Sequence, residues 1–144
     1  MVVSRSIVEK KLAKLEHTIR KLTELSLVSW EEYNKSEAFQ DRTERNLQLA
    51  AQVCVDIGSH IIADRGYRSP EGYADVFTVL YEKGLLPGKL TETMRQIAGF
   101  RNILVHEYLE IDNSIVYECL SHLHDFKSYA AYVVKLLQAD GQSV

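Results

Sequence analysis

Apolar residues recurring at alternating intervals of four and three constrain this chain more than any other feature. Val8, Leu12, Leu15, Ile19 and Leu22 form such a series, and on a helix of about 3.6 residues per turn they share one face. A strand would send alternate members of such a series to opposite sides. Phe39, Ala50, Val53, Cys54, Ile57 and Ile61 mark the inward side of a second, longer segment from Glu37 to Ala63. The spacing returns in Leu90, Met94, Ile97, Arg101, Leu104 and Tyr108. Only two prolines and seven glycines interrupt the 144 residues, so few positions oppose helix formation.

The boundaries follow from local chemistry. Ser6 and Glu9 have the spacing of a capping box for the first helix. Gly66 is the expected stop of the second. Ser69 and Pro70 read as the cap and first turn of a short third helix, which carries Tyr73, Val76, Phe77 and Leu80 and ends at Gly84. A fourth helix is expected from about Leu90. "EIDNS" breaks it, and Asp112 caps a fifth that runs to about Leu137. Short connections between long amphipathic helices favour antiparallel neighbours. The expectation is an all-α, up-and-down bundle of about five helices, with residues 1–144 as one domain.

Composition narrows the setting. A chain that is 46% hydrophobic and 26% charged belongs with ordinary globular proteins. No apolar run nears the roughly 18 residues of a membrane span, and "MVVSRSIVEKKLAK" has no apolar segment of the secretory type. Cys54 and Cys119 each sit on an apolar stripe and read as buried thiols of a reducing, cytoplasmic compartment. The net charge is −3 and the pI near 5.9, with no basic stripe of the kind that grips long nucleic acids. Any nucleic-acid chemistry must then depend on a local site, or on a surface assembled from more than one copy.

"GFRNILVHEYLEID", residues 99–112, is the stretch that does not fit a plain bundle. Arg101 occupies a stripe position that calls for an apolar residue. Its guanidinium cannot be neutralised, so it needs a carboxylate, a phosphate or open solvent nearby. A stem packed on the stripe with its head reaching water would satisfy that need equally. His106 lies five residues on, about 140° around an ideal helix, on the flank of Asn102 rather than of Arg101. Tyr108 returns to nearly Arg101's face. One straight helix cannot gather these groups. Either the helix breaks near "VHEY", or it lies against a symmetry mate so that two chains border one cleft.

Other candidates are weaker. His122 and His124, two apart on a helix, would face nearly opposite ways, and His17 and His60 lie alone. No CxxC, HExxH or clustered carboxylates appear at ligand spacing, so neither a metal nor a cofactor is expected. "DRTER" reads as a solvated charge run. The eight tyrosines lack the basic interleaving of a base-stacking platform.

Arginine, four residues, histidine, any residue, tyrosine, as "RNILVH" followed by "EY", resembles the motif of HEPN-domain proteins. It is most similar to that of the HepT-like toxins encoded beside minimal nucleotidyltransferase (MNT) antitoxins. Chain length, helix order and the "ID" that follows the motif agree with that resemblance. It implies a metal-independent endoribonuclease working as a homodimer on RNA, with Arg101 and His106 catalytic and Asn102 positioning. It further implies that an MNT-type antitoxin silences the toxin by attaching AMP to Tyr108. The alternative is a catalytically silent helical module that binds a nucleotidyltransferase or a nucleotide, with Arg101 and His106 structural.

Overall fold

The computed structural model describes residues 5–106 and 110–142. Among these the chain is all-α, with seven helices: α1 (Arg5–Leu25), α2 (Trp30–Lys35), α3 (Glu37–Arg65), α4 (Tyr73–Glu82), α5 (Gly88–Val105), α6 (Asn113–Cys119) and α7 (His124–Gln142). α1 packs along α3, which also meets α4 and α5; α4 and α5 pack on each other, and α7 closes against α1, α3 and α5.

The series read from the sequence form the core. Val8, Leu15, Ile19 and Leu22 of α1 are buried, with Leu12 partly so. Ala50, Val53, Cys54, Ile57 and Ile61 of α3 are buried. Gly66 caps α3 at φ 66°, a left-handed conformation that costs glycine little. Both cysteines are free thiols, Cys54 buried and Cys119 half-buried. No helix of the described residues is long and apolar enough to cross a membrane.

Two helix starts differ from expectation. The Ser6–Glu9 box does not form, because the helix already includes Arg5, whose Nε donates to the Glu9 carboxylate at 2.9 Å. Ser69–Pro70 does not open α4. The Arg68 guanidinium instead pairs with Asp75 and Glu82 and ties the preceding loop along the helix. Asp75 in turn accepts the Glu71 N–H at 2.9 Å, so the first turn begins at Tyr73.

The short α2 shows no readable period in six residues. It exists because Ser29 caps it by accepting from Glu32 N–H, while Ser36 ends it and caps α3 by accepting from Phe39 N–H. Its Tyr33 is fully buried.

The expected fifth helix is two, α6 and α7, broken across residues 120–123. Asp112 does cap α6, accepting from Ser114 N–H at 2.9 Å. The break follows from two separate anchors. Tyr117 Oη donates to the Val28 carbonyl at 2.6 Å and holds α6 to the α1–α2 corner. Tyr129 Oη donates to the Cys54 carbonyl at 2.9 Å and holds α7 on α3.

Candidate active site at the end of α5

Leu90, Met94, Ala98 and Leu104 of α5 are buried, with Ile97 partly so, and Arg101 is the one charged member of that stripe. It sits at the bundle's end, half-buried. Its guanidinium lies over the Tyr73 ring, with Cζ 5.0 Å from the centroid. One Nη donates to Asn102 Oδ1 at 3.1 Å. Nε is buried, and no described group hydrogen-bonds it. No carboxylate of the described residues pairs with this cation, so the aromatic face and the neighbouring amide hold it.

α5 stops at Val105. His106 is its C-terminal cap, at φ −85° and ψ 84°, with its N–H donating to the Ile103 carbonyl at 3.3 Å. The ring is exposed. The helix therefore breaks at the histidine, one of the two arrangements that the motif's spacing required. Arg101 and Asn102 are joined in one contact, while His106 leaves the helix one turn beyond them. Tyr108 lies outside the described residues.

A cleft of about 380 Å³ adjoins the site, lined by Leu47, Phe100, Arg101, Cys119, His122 and Asp125 among others. Burial pushes the Cys119 thiol above its ordinary range. His122 and His124 do not face opposite ways as a continuous helix would require. α7 begins only at His124, and the two rings lie 6.2 Å apart. Among the described residues no three His, Cys, Asp or Glu side chains gather as a metal site would need.

The contact that sequence reasoning missed is Tyr73. The sequence shows it only as part of a short amphipathic helix, and nothing local ties it to a residue 28 positions away. An arginine within an apolar stripe does demand a partner for its flat face. That demand is the only signal the sequence offers.

A family model described as ribonuclease HepT-like matches residues 15–133. The chain belongs to this family. The mRNA nuclease HepT of Shewanella oneidensis is 28% identical over 124 residues, covering 85% of this chain and 92% of that protein. The tRNA nuclease HepT of Aphanizomenon flos-aquae is 31% identical over 129 residues, covering 88% and 85%. Among solved structures, the tri-AMPylated Shewanella oneidensis HEPN toxin in complex with its MNT antitoxin matches with a TM-score of 0.83 at 28% identity, over 90% of this chain and 97% of that one. As a HepT-like ribonuclease, the chain carries its RNILVH sequence where α5 ends, beside the cleft.

Proposed function

We propose that this HepT-like chain is an endoribonuclease toxin that cuts RNA without a metal ion, the 144 residues acting as one domain. The observation that carries the reading is Arg101: a charged residue at a core position, its face on Tyr73 and its neighbour Asn102 bonded to it, with the helix ending on an exposed His106.

The chemistry suits these residue types. The RNA 2′-oxygen is a nucleophile already placed beside the scissile phosphorus. A base removes its proton, the O2′–P bond forms, and the P–O5′ bond breaks as an acid protonates the leaving oxygen. The products are a 2′,3′-cyclic phosphate and a 5′-hydroxyl. Histidine titrates near neutrality and fits either proton role. Arg101 offers a permanent positive fork for the phosphoryl oxygens as charge builds there. Base and acid stand on opposite sides of the phosphorus, which one imidazole cannot serve at once. A homodimer with α5 near its two-fold axis supplies the second His106, and it also concentrates the two Arg101 charges that an acidic chain otherwise lacks.

Control by an MNT-type nucleotidyltransferase follows the Shewanella oneidensis complex, whose toxin is AMPylated. In this chain the acceptor would be Tyr108. Its phenolic oxygen attacks the α-phosphorus of ATP and pyrophosphate leaves. Each AMP brings a phosphodiester charge and a base to the neighbourhood of Arg101, in competition with the RNA backbone.

The test is cleavage of a defined RNA by purified protein with a chelator present, alongside Arg101→Ala and His106→Ala. Loss of cleavage in both variants, with cyclic-phosphate ends from the unaltered protein, is the expected result. Full cleavage by His106→Ala, or activity that vanishes with the chelator, overturns the reading, whereas no cleavage by the unaltered protein leaves the silent-module alternative. Intact mass after incubation with the partner and ATP tests the modification. AMP units appearing equally on Tyr108→Phe would move the acceptor elsewhere.

A further inference from the structure

An arginine that must meet a phosphate has four rotatable side-chain bonds to immobilise, and no carboxylate of the described residues pairs with Arg101 to help. The structure answers with a chain of contacts that ends on Tyr73. Arg68 pairs with both Asp75 oxygens, at 2.7 and 3.0 Å, and with Glu82 at 2.8 Å. Asp75 accepts the Glu71 N–H. These contacts fix the first turn of α4, which has no side-chain cap of its own, and Tyr73 is its first residue. The Tyr73 ring then carries the Arg101 guanidinium 5.0 Å above its centroid. Asn102 holds one Nη, and Nε is buried. No other described residue hydrogen-bonds the remaining Nη edge, the one a phosphate would meet.

We propose that Tyr73 is a positioning residue for cleavage: its π face orients Arg101 so that the Nη edge meets the phosphoryl oxygens as they gain charge. The proposal rests on the reading of Arg101 given above. Tyr73 acts through Arg101 and touches neither RNA nor a proton. A cation held on an aromatic face is electrostatically stabilised by the ring quadrupole, and the attraction weakens as ring electrons are withdrawn. A guanidinium free to swing still attracts RNA but no longer matches the transition state. The effect therefore belongs in kcat rather than KM.

The test is single-turnover and steady-state cleavage of a defined RNA by Tyr73→Phe, Tyr73→Leu and phenylalanines of increasing fluorination at position 73. Tyr73→Phe keeps near-native kcat, because the ring rather than the hydroxyl is used. Tyr73→Leu loses about tenfold in kcat, within the roughly two- to thirtyfold range of such contacts, with KM changed less than about twofold. Fluorination lowers kcat stepwise. These near-isosteric rings carry the test alone if thermal melting shows Tyr73→Leu misfolded, although Tyr73 is 42% exposed and its loss should spare the fold.

Adding Tyr73→Leu to Arg101→Ala costs nothing further, since the residue it positions is already gone. Multiplying losses in that double variant, a flat fluorination series, or Tyr73→Phe as impaired as Tyr73→Leu would each overturn the proposal. So would full kcat in Tyr73→Leu alongside an inactive Arg101→Ala. If Arg101→Ala itself cleaves at full rate, the earlier reading of the arginine fails instead.

Discussion

The middle of α3 and the last two turns of α5 begin from the same device, an inward stripe, and end differently. From Ala50 to Ile62 every buried position of α3 is apolar, and space is used up. A Cβ on Gly58 would stand 2.5 Å from Val76 Cγ1 and 3.1 Å from Tyr129 Oη. The Tyr129 hydroxyl is itself bound to the Cys54 carbonyl. In α5 the stripe admits Arg101, buries its Nε without a hydrogen-bond partner among the described residues, and ends on an exposed histidine. A Cβ on Gly99 would meet nothing within 4 Å. One region is arranged for packing density, whereas the other keeps a charge at a core position, which the proposed chemistry would use. Sequences agree with their fold at every level except where function intervenes.

The largest effect that sharpens this contrast is on activity. Arg101→Ala and His106→Ala should each lower RNA cleavage by roughly 10²- to 10⁴-fold while leaving the helical circular dichroism spectrum unchanged. Loss of helical structure in step with activity would put both residues in the same class as the α3 core and erase the distinction.

Paired glycine substitutions come next. Gly58→Ala should destabilise by about 1–3 kcal/mol, because Val76 is itself buried and has nowhere to move. Gly99→Ala should stabilise by about 0.5–1 kcal/mol, as an open helical position exchanges backbone freedom for a methyl group. Urea titration reads both, and shifts of the same sign would break the comparison.

Arg101→Met offers a third test. It removes a buried donor that no described residue pairs, worth about 1–3 kcal/mol, and forfeits the ring contact with Tyr73, worth about 0.5–1. A melting temperature at or slightly above that of the unaltered chain, with cleavage lost, is expected. A large drop would mean that the arginine belongs to the core after all.

The smallest effect is a pH dependence at α4. Arg68 first, and then the Glu71 N–H, hold the Asp75 carboxyl down at about 2. A carboxyl depressed in the folded state stabilises fully above its ordinary value near 3.8 and loses that contribution as the pH falls towards about 2. Arg68 is exposed and Asp75 partly so, and solvent screening keeps the contribution small. Melting curves of the unaltered chain and Arg68→Ala should differ slightly near pH 6 and converge by about pH 2 to 3. A gap that widens in acid would contradict the sign.

Much of this was legible in advance, and the reason is periodicity. α1, α3 and α5 are long enough for the stripe to repeat several times, and Asp112 and Gly66 announce their roles as cap and stop. The misfit of Arg101 was equally visible, since a single charge in an apolar series stands out. What escaped is contact between remote segments. Ser69–Pro70 carries a strong local start signal that Arg68, bound to Asp75 and Glu82, overrides. The division of the last helix into α6 and α7 depends on Tyr117 reaching Val28 and Tyr129 reaching Cys54, partners 89 and 75 positions away. Tyr73 under Arg101 is the same kind of fact, written in three dimensions and absent from any window of sequence.

Trp30 is the chain's only tryptophan, and its place gives the molecule a built-in optical gauge. The indole lies 6.2 Å from the Tyr33 ring and 5.4 Å from that of Tyr117, where α2 meets α6. It is partly open to water, 38% exposed. Its emission therefore reports one corner, the anchor of the helix that follows the RNILVH stretch, while far-ultraviolet dichroism averages over every helix. Were the bundle to melt as one unit, the two signals would trace a single curve. An emission change ahead of the dichroism would reveal this corner loosening first, and with it the far mooring of the motif.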